Sequence, residues 1–477
     1  MITETQLPKG WKKTTLGAEF EWSSGGTPKS GTPAYYENGT IHWLNISDLN
    51  DGLISCAEKQ ITELGLKESS AKIVPKNSVL IAIYGSIGKL GINTIPLATN
   101  QAICFTKKIP EYISNKFLFY YLLSIRNQLI SMGKGGTQQN ISQTVLKAVP
   151  FFYPTNKETQ QAIVNKIESL FAEIDAGIAS LKTAQKQLKQ YRQSLLKNAF
   201  NGELTKQWRL ENADRLPSAN ELLAQIQAAR EQHHAQQLAD WQIAVKQWEQ
   251  AGKQGKKPSK PKAPTQAVKF EENFADLPNG WGVMMLDNLA TEYVLGKMLD
   301  KNKNKGKDRP YLGNINVRWG KFEFSETKTM KIEDDETERY LVKYGDLIIC
   351  EGGEPGRCAV WKHDKEMFIQ KALHRVRFPF VYLAEFAFYY LSYAVKLPLV
   401  TDLFTGTTIK HLTGTALGNI LFPVCSLTEQ TQIIAILESK LTACDQLTTE
   451  LATQLKQAEL LKQAVLKSAF SGSLLDK

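Results

Sequence analysis

Cysteine and histidine are scarce in this chain, six of each, and neither falls into a pattern. Cysteines 56, 104, 350, 358, 425 and 444 form no CxxC pair and have no histidine at ligand spacing. That argues against a zinc site and a disulfide framework, and it implies a reducing compartment. The histidines at 42, 233, 234, 363, 374 and 411 are scattered, with no nucleophile or ligand set among them. No apolar run approaches the ~18 residues that a membrane span needs, and the opening "MITETQLPKGWKK" lacks the apolar core of a signal peptide. A cytoplasmic protein without a membrane association is expected.

Signatures of chemistry are also missing. The stretch "IYGSIGKLG" (83–91) places Gly88-Lys89 after an apolar strand, but a P-loop needs a glycine four residues before that pair and Ser or Thr after it. This chain has Ile83 and Leu90 there. No Asn-Pro-Pro-Tyr run for holding a flipped base occurs, and no glycine-rich loop for a methyl donor. Glu326 and Lys328 in "SETK", with a distant Asp308, are the nearest approach to a metal-dependent nuclease core, at a spacing too common to carry weight. A non-catalytic chain is expected. A nuclease using Glu326 and Lys328 is the enzymatic alternative.

Positive charge is in surplus. Lys and Arg number 58 against 48 Asp and Glu, a net charge of +10 with a pI near 9.0, so a polyanionic partner is plausible. The 477 residues, 42% of them hydrophobic, suffice for about three domains with real cores.

The chain repeats itself. "SLLKNAFNGEL" (194–204) returns as "AVLKSAFSGSL" (464–474), and "LPKGWKKTTLG" (7–17) returns as "LPNGWGVMMLD" (277–287), both 270 residues later. Between these markers "FLFYYLL" answers "FAFYYLS", "GGTQQNISQ" answers "TGTTIKHLT", and "ETQQAIVNKIES" answers "TEQTQIIAILES". Each copy opens with a stretch in which Gly, Pro and Asn turns break short β-rich runs such as "SVLIAIYG" and "GDLIICEGG", the pattern of an α+β globule. Both copies end such a run with a glycine turn and a basic residue, Gly88-Lys89 and Gly356-Arg357, and a tight turn with positive φ accounts for the glycines.

A long helix follows each globule. Ile163, Ile167, Leu170, Ile174, Gly177, Leu181, Ala184, Leu188, Tyr191 and Leu195 alternate by four and three, a coiled-coil seam with Gly177 as its weak point. The second copy offers Ile433, Leu437, Lys440, Cys444, Leu447, Leu451, Gln454, Ala458, Leu461 and Val465, with Leu441 or Leu455 able to replace the polar members. Packing of each helix on its own globule would explain one such seam; two matched seams more simply pair with each other, antiparallel, in a pseudo-twofold molecule. The spacer between the copies holds "SANE" (218–221), a capping-box pattern before a helical run. It also holds "KQGKKPSKPKAP" (253–264), expected to be a stiff, basic, solvated linker and not a packed element.

Two globules of one plan, each followed by a long helix ending in "LK.AF.G.L", resemble the specificity subunit of type I restriction-modification systems. Supporting pieces are "LPKGW" with "LPNGW", "GTQQNI" with "GTTIKHL", the helix entries at Gln160 and Gln430, "GELTKQWR" and "DLIICEGGEPGRCAVW". The resemblance covers essentially the whole chain. It implies an α+β fold with two pseudo-twofold-related globular target recognition domains separated by a long antiparallel two-helix coiled coil. The expected domains are a target recognition domain over 1–154, a spacer helix over 155–204, an inserted helix and basic Pro-rich linker over 205–275, a second recognition domain over 276–426 and a second spacer helix over 427–477. It further implies double-stranded DNA as ligand, two modification (methyltransferase) subunits and two restriction (motor-nuclease) subunits as partners, and S-adenosylmethionine, ATP and Mg on those partners, with no cofactor on this chain. From Ile163 to Leu195 a helix rises roughly 48 Å, more than a DNA turn of about 34 Å, so two half-sites with unread bases between them are expected. The globules differ more than the helix ends do, so the target should be non-palindromic. A stand-alone sequence-specific DNA-binding protein is the alternative among binding proteins.

Gln and Asn pair with adenine edges, Lys and Arg with guanine or phosphate. On those grounds the DNA-facing candidates in the first globule are Lys29, Ser30, Tyr35, Tyr36, Asn45, Lys89, Gln138, Gln139 and Asn140. In the second they are Lys301, Lys303, Lys305, Lys307 and Arg309 of "KNKNKGKDR", then Asn314, Arg318, Arg357, Lys410 and His411. A solvated loop would explain the Lys/Asn run equally.

Overall fold

The computed structural model describes residues 8–134, 139–217, 219–255, 257–266, 277–300 and 302–475. The chain divides into two compact units, Met1–Ala184 with Thr449–Lys477, and Gln185–Thr448. The division runs through the middle of both long helices, Lys157–Phe200 and Leu427–Phe470, so each unit holds one globule and half of each helix.

The first globule is built on a five-stranded sheet in the order Glu21–Ser24, Ile103–Lys108, Val79–Ala82, Leu90–Asn93, Gly52–Ile54. Val79–Ala82 is buried at all four positions, which is why "SVLIA" reads as an unbroken apolar run and not as an alternation. A second sheet of four short strands contains the parallel pair Ile41–Leu44 and Leu97–Thr99. Trp11–Thr15 and Pro150–Pro154 close the globule as an antiparallel pair.

The second globule repeats this plan. Its main sheet runs Glu292–Leu295, Leu373–Arg377, Leu347–Cys350, Cys358–Val360. The parallel pair is now Lys307–Leu312 with Phe368–Ile369, and the closing pair is Gly282–Met285 with Leu421–Val424.

The repeated helix ending has one structural use in both units. In the first, Phe470 meets Phe117 and Tyr121 edge to face, at ring centroid distances of 5.2 and 5.3 Å, while Val465, Leu466 and Ala469 complete the globule's core. In the second, Phe200 meets Phe386 and Tyr390 at 5.2 and 5.1 Å, beside Leu195 and Ala199. The glycine after each phenylalanine is left-handed and sits against a proline: a Cβ on Gly472 would lie 2.2 Å from Cγ of Pro8, and one on Gly202 would lie 2.2 Å from Cγ of Pro278. The "AF.G.L" and "LP.GW" repeats therefore specify each other. Within each unit the start of one long helix packs beside the end of the other, so the pair runs antiparallel, with Asp175–Lys462 and Arg192–Asp445 as cross-helix ion pairs.

The seam departs from its expected register. Gly177 is exposed with no heavy atom near its missing Cβ, and Tyr191 is exposed as well; Ile178 and Arg192 are partly buried in their places. A straight helix of 3.6 residues per turn drifts off a 3.5 repeat, and the inward face moves on by one residue. On the other helix Lys440, Leu447, Gln454 and Leu461 are exposed; Leu441 is buried and Leu455 partly so, replacing the two polar members.

The spacer opens with the helix its sequence suggests, and that helix is packed; the Pro-rich stretch is exposed at most positions, as expected of a linker, but is tied back onto the helix instead of standing free. Its helix, Ala219–Gln250, buries Leu222 and Ile226 in the core of the second globule. Arg230, also buried, donates to the carbonyls of Ala290, Asp287 and Thr265. Ser218, the cap of the "SANE" pattern, lies outside the described residues. The Pro-rich stretch then returns along the helix: Trp241 donates to the Pro258 carbonyl and Trp248 to that of Gly255, while Lys260 and Lys257 lie over the same two indoles.

Candidate nucleic-acid interface

In the first unit the chain leaves Val79–Ala82, turns through Tyr84–Lys89 and returns as Leu90–Asn93. Gly85 and Gly88 have φ of +65° and +81°, and the Gly88 amide donates to the Ala82 carbonyl at 2.9 Å. A second loop is zipped onto this turn. Lys134 and Asn140 exchange backbone hydrogen bonds of 2.9 and 3.0 Å, Gly85 donates to the Gln139 carbonyl and Ile141 to that of Ile83. Arg126 braces the other side, giving Nε to the Gly88 carbonyl and its terminal nitrogens to the Asp51 carboxylate.

Asn45, Lys29 and Ser30 join this loop cluster through Asn100 and Gln101. Asn100 donates its Nδ2 to the Asn45 amide oxygen at 3.3 Å, and the Gln101 side chain accepts from Thr27 at the foot of the exposed Lys29-Ser30 loop. Ile83, which leads into the glycine turn, donates to the Ala102 carbonyl. The tyrosines are committed elsewhere. Tyr35 donates to Glu68 at 2.7 Å, and that carboxylate raises its phenol above the usual value; Tyr36 donates to the Pro28 carbonyl and sets its ring on Trp43. Gln138 lies outside the described residues.

The second unit repeats the device with different side chains. Gly353 and Gly356 have φ of +76° and +87°, three residues apart as before, and the Gly356 amide donates to the Cys350 carbonyl at 2.9 Å. Its zipped loop is Thr405–His411, closed by reciprocal backbone bonds of 2.9 and 2.8 Å, with His411 bridged to Gly352. A Cβ on Gly352 would lie 3.0 Å from the His411 ring, a close approach that a larger residue would meet only by displacing the ring. Asn314 donates Nδ2 to the Gly352 carbonyl at 3.0 Å. Arg357 donates to the Asn314 carbonyl and to Glu354, each at 2.9 Å. Arg357 is thus a brace between two loops and not a free cation, whereas Lys410 and His411 are exposed.

The lysine run is placed differently from Asn314. Strand Lys307–Leu312 runs toward Asn314, and five steps of about 3.3 Å put Lys307 roughly 17 Å from the strand's other end. Lys303 pairs with Asp300, Lys307 with Asp334, Arg309 with Glu366 and Arg318 with Glu323. The Lys305 backbone donates to Glu333, and Lys301 lies outside the described residues. Five residues of the loop clusters escaped notice in the sequence: Tyr84, Asn100, Gln101, Ile315 and Ile409. Tyr84, Ile315 and Ile409 are marked in the sequence only by adjacency to Gly85, Asn314 and Lys410, and Asn100 and Gln101 carry no such mark.

The nuclease alternative finds no geometry. Asp308 stands opposite Lys331 and pairs with it, while Lys328 stands opposite Tyr311, three rungs along the ladder. Among the described residues no three His, Cys, Asp or Glu side chains gather to hold a metal, and no helix is long and apolar enough to cross a membrane.

A sequence model of the family described as "Type I restriction modification DNA specificity domain" matches residues 8–183 and again 278–457. The EcoBI type I restriction enzyme specificity subunit of Escherichia coli is 33% identical over 199 residues, covering 40% of this chain and 42% of its own length. The EcoR124I/EcoR124II specificity subunit of the same organism is 30% identical over 195 residues, 39% and 47% of the two chains. The chain thus spans less than half the length of these curated relatives. Among solved structures, a chain from a study of assembly and conformational transition of the type I R-M system superposes with a TM-score of 0.67 at 17% identity, covering 98% of this chain and 99% of that one. The HsdS subunit of Thermoanaerobacter tengcongensis gives 0.55 at 18% identity, with 98% of both chains covered. At these identities the likeness is one of fold.

Proposed function

Because this chain belongs to the type I restriction modification DNA specificity family, we propose that it is the DNA-reading subunit of a type I restriction-modification enzyme. Each unit reads one half of a split, asymmetric double-stranded target through its glycine-turn cluster. In the first unit Gln139, Asn140 and Asn45 face base edges and Lys29 and Lys89 meet guanine or phosphate; in the second Lys410 and His411 do so, while Asn314 holds the Gly352 loop in place. The bridged loops hold these groups before DNA arrives, which lowers the ordering cost of binding. The long helices dock two modification subunits, and two restriction subunits complete the enzyme. S-adenosylmethionine, ATP and Mg belong to those partners, and this chain performs no chemistry. It works in the cytoplasm.

One observation carries this reading: a single backbone device occurs in both units with different side chains upon it, Tyr84, Lys89 and Asn140 in one and Gly352, Arg357 and His411 in the other. Identical readers would suit a palindrome; unlike ones suit an asymmetric site. The test maps N6-methyladenine in native host DNA with and without this gene. Loss of one split, asymmetric motif is the expected result, and an unchanged methylome with the partner subunits expressed would sink the reading. If the purified chain alone binds that motif tightly, it acts as a stand-alone DNA-binding protein.

A further inference from the structure

We infer that the second unit recognises a thymine through its 5-methyl group, with Ile409 as the contacting side chain and Ile315 beside it. This rests on the DNA-reading role proposed above and names a base that one loop cluster selects. Single exposed apolar residues are ordinary on protein surfaces; these two are not independent. Ile409 is 63% exposed and Ile315 48%, and their loops are fastened to the same residue, Gly352, through the Asn314 side chain and the His411 bridge. The loop carrying Ile409 has a fixed backbone. Thr405 and His411 close it with two hydrogen bonds, and Gly406, at φ +91°, turns so tightly that a Cβ there would lie 2.2 Å from the Ile409 carbonyl oxygen.

An exposed β-branched side chain next to Lys410 and His411 in a closed loop, with a second on a loop tied to the same glycine, suits one feature of the major groove. Thymine alone among the four bases presents a methyl group there, next to the O4 acceptor, and apolar side chains read it by contact. A hydroxyl or amide at position 409 would read hydrogen-bonding edges instead. The aligned stretch of the first repeat has glutamine where "GTTIKH" has Ile409, so the two halves of the target are expected to differ in this respect.

The experiment uses the full chain assembled with its modification subunits. Its motif is mapped first, and duplexes carrying it are then prepared with each thymine of the second half replaced in turn by uracil, which lacks only the methyl group. One such replacement should weaken binding about fourfold, the share of one buried methyl, while uracil in the first half has no effect through this contact. Ile409→Ala should lose the thymine-uracil difference at that position and relax the methylated motif there, with the other positions unchanged. Equal binding of thymine and uracil throughout the second half, in a complex that does methylate a split motif, overturns the inference and leaves the specificity role intact. Weakened assembly with the modification subunits by Ile409→Ala, with the residual methylation at an unaltered motif, also overturns it and makes Ile409 a protein contact. If the wild-type complex methylates no motif, the broader reading has failed and this one with it.

Discussion

The glycine turns of the two units share a backbone and differ in what restrains them. In the first, the brace comes from outside: Arg126, on a short helix, holds the Gly88 carbonyl and Asp51, so Lys89 on the turn keeps its ammonium for other use. In the second, the brace is the turn's own basic residue, Arg357, fixed to Glu354 and the Asn314 carbonyl. A planar guanidinium presents a rigid fork of donors that ties two loops in fixed geometry, where a lysine offers a flexible point charge. The same motif position therefore carries a lysine that braces nothing in one half and a bridging arginine in the other, and motif matching alone would give both the same role.

The largest test of the internal equivalence lies at the helix ends. Phe470→Ala and Phe200→Ala each remove a ring from a buried aromatic cluster and should cost about 3–5 kcal/mol, read as a lower denaturant midpoint. Equal costs would support equivalent seats, and a gap of more than about 2 kcal/mol would break the comparison.

Next is an asymmetry, the inserted helix, which only the second unit has. Glu292 receives His233 and Gln237 from that helix together with Arg375 and Arg377. Burial opposes its ionisation, yet His233 and the two arginines hold its carboxyl at about 2, below the ordinary 4.5. A depressed carboxylate stabilises the fold above its unfolded value and loses that contribution as pH falls through the folded one. The contribution, on the order of 2–3 kcal/mol, should fade between pH 4.5 and 2. Glu292→Gln should flatten that part of the stability profile measured by chemical denaturation.

The glycine-proline contacts come third. Gly202→Ala and Gly472→Ala force a side chain into left-handed backbone, about 1–2 kcal/mol, and into the facing prolines, so melting temperatures should fall in both variants.

The smallest effect returns to the turns. Lys89→Ala should leave the methylated motif unchanged and reduce the slope of log affinity against log salt by about one. Arg357→Ala should instead loosen Asn314 and the Gly352 loop and degrade the second half of the motif. Similar outcomes for both would mean that the difference in bracing has no functional weight.

Much of the fold was legible because the repeat is local. The doubled "LP.GW" and "AF.G.L" markers, the α+β character of the globules, the paired helices and the glycine turns all follow from short stretches whose backbone preferences hold wherever they occur. The sites were legible only in part. Asn45, Lys89, Gln139, Asn140, Asn314, Lys410 and His411 belong to the two loop clusters, but of the lysine run, conspicuous in sequence, Lys307 and Arg309 are matched by carboxylates from distant segments. Ile409 drew no notice, since an isoleucine in a sequence carries no sign of whether it is covered.

By itself the sequence determined that there are two copies of one plan, where the paired glycine turns fall, and which helix faces are apolar, because these depend on φ preference and periodicity within a few residues. Only the tertiary structure decided which cations are spoken for, that the seam moves from Gly177 to Ile178, that the Pro-rich stretch folds back onto Trp241 and Trp248, and that each helix ending seats in a globule built from the other repeat. Those outcomes depend on pairs of residues far apart in the chain, and such pairs acquire an energy only when folding brings them within a few ångströms.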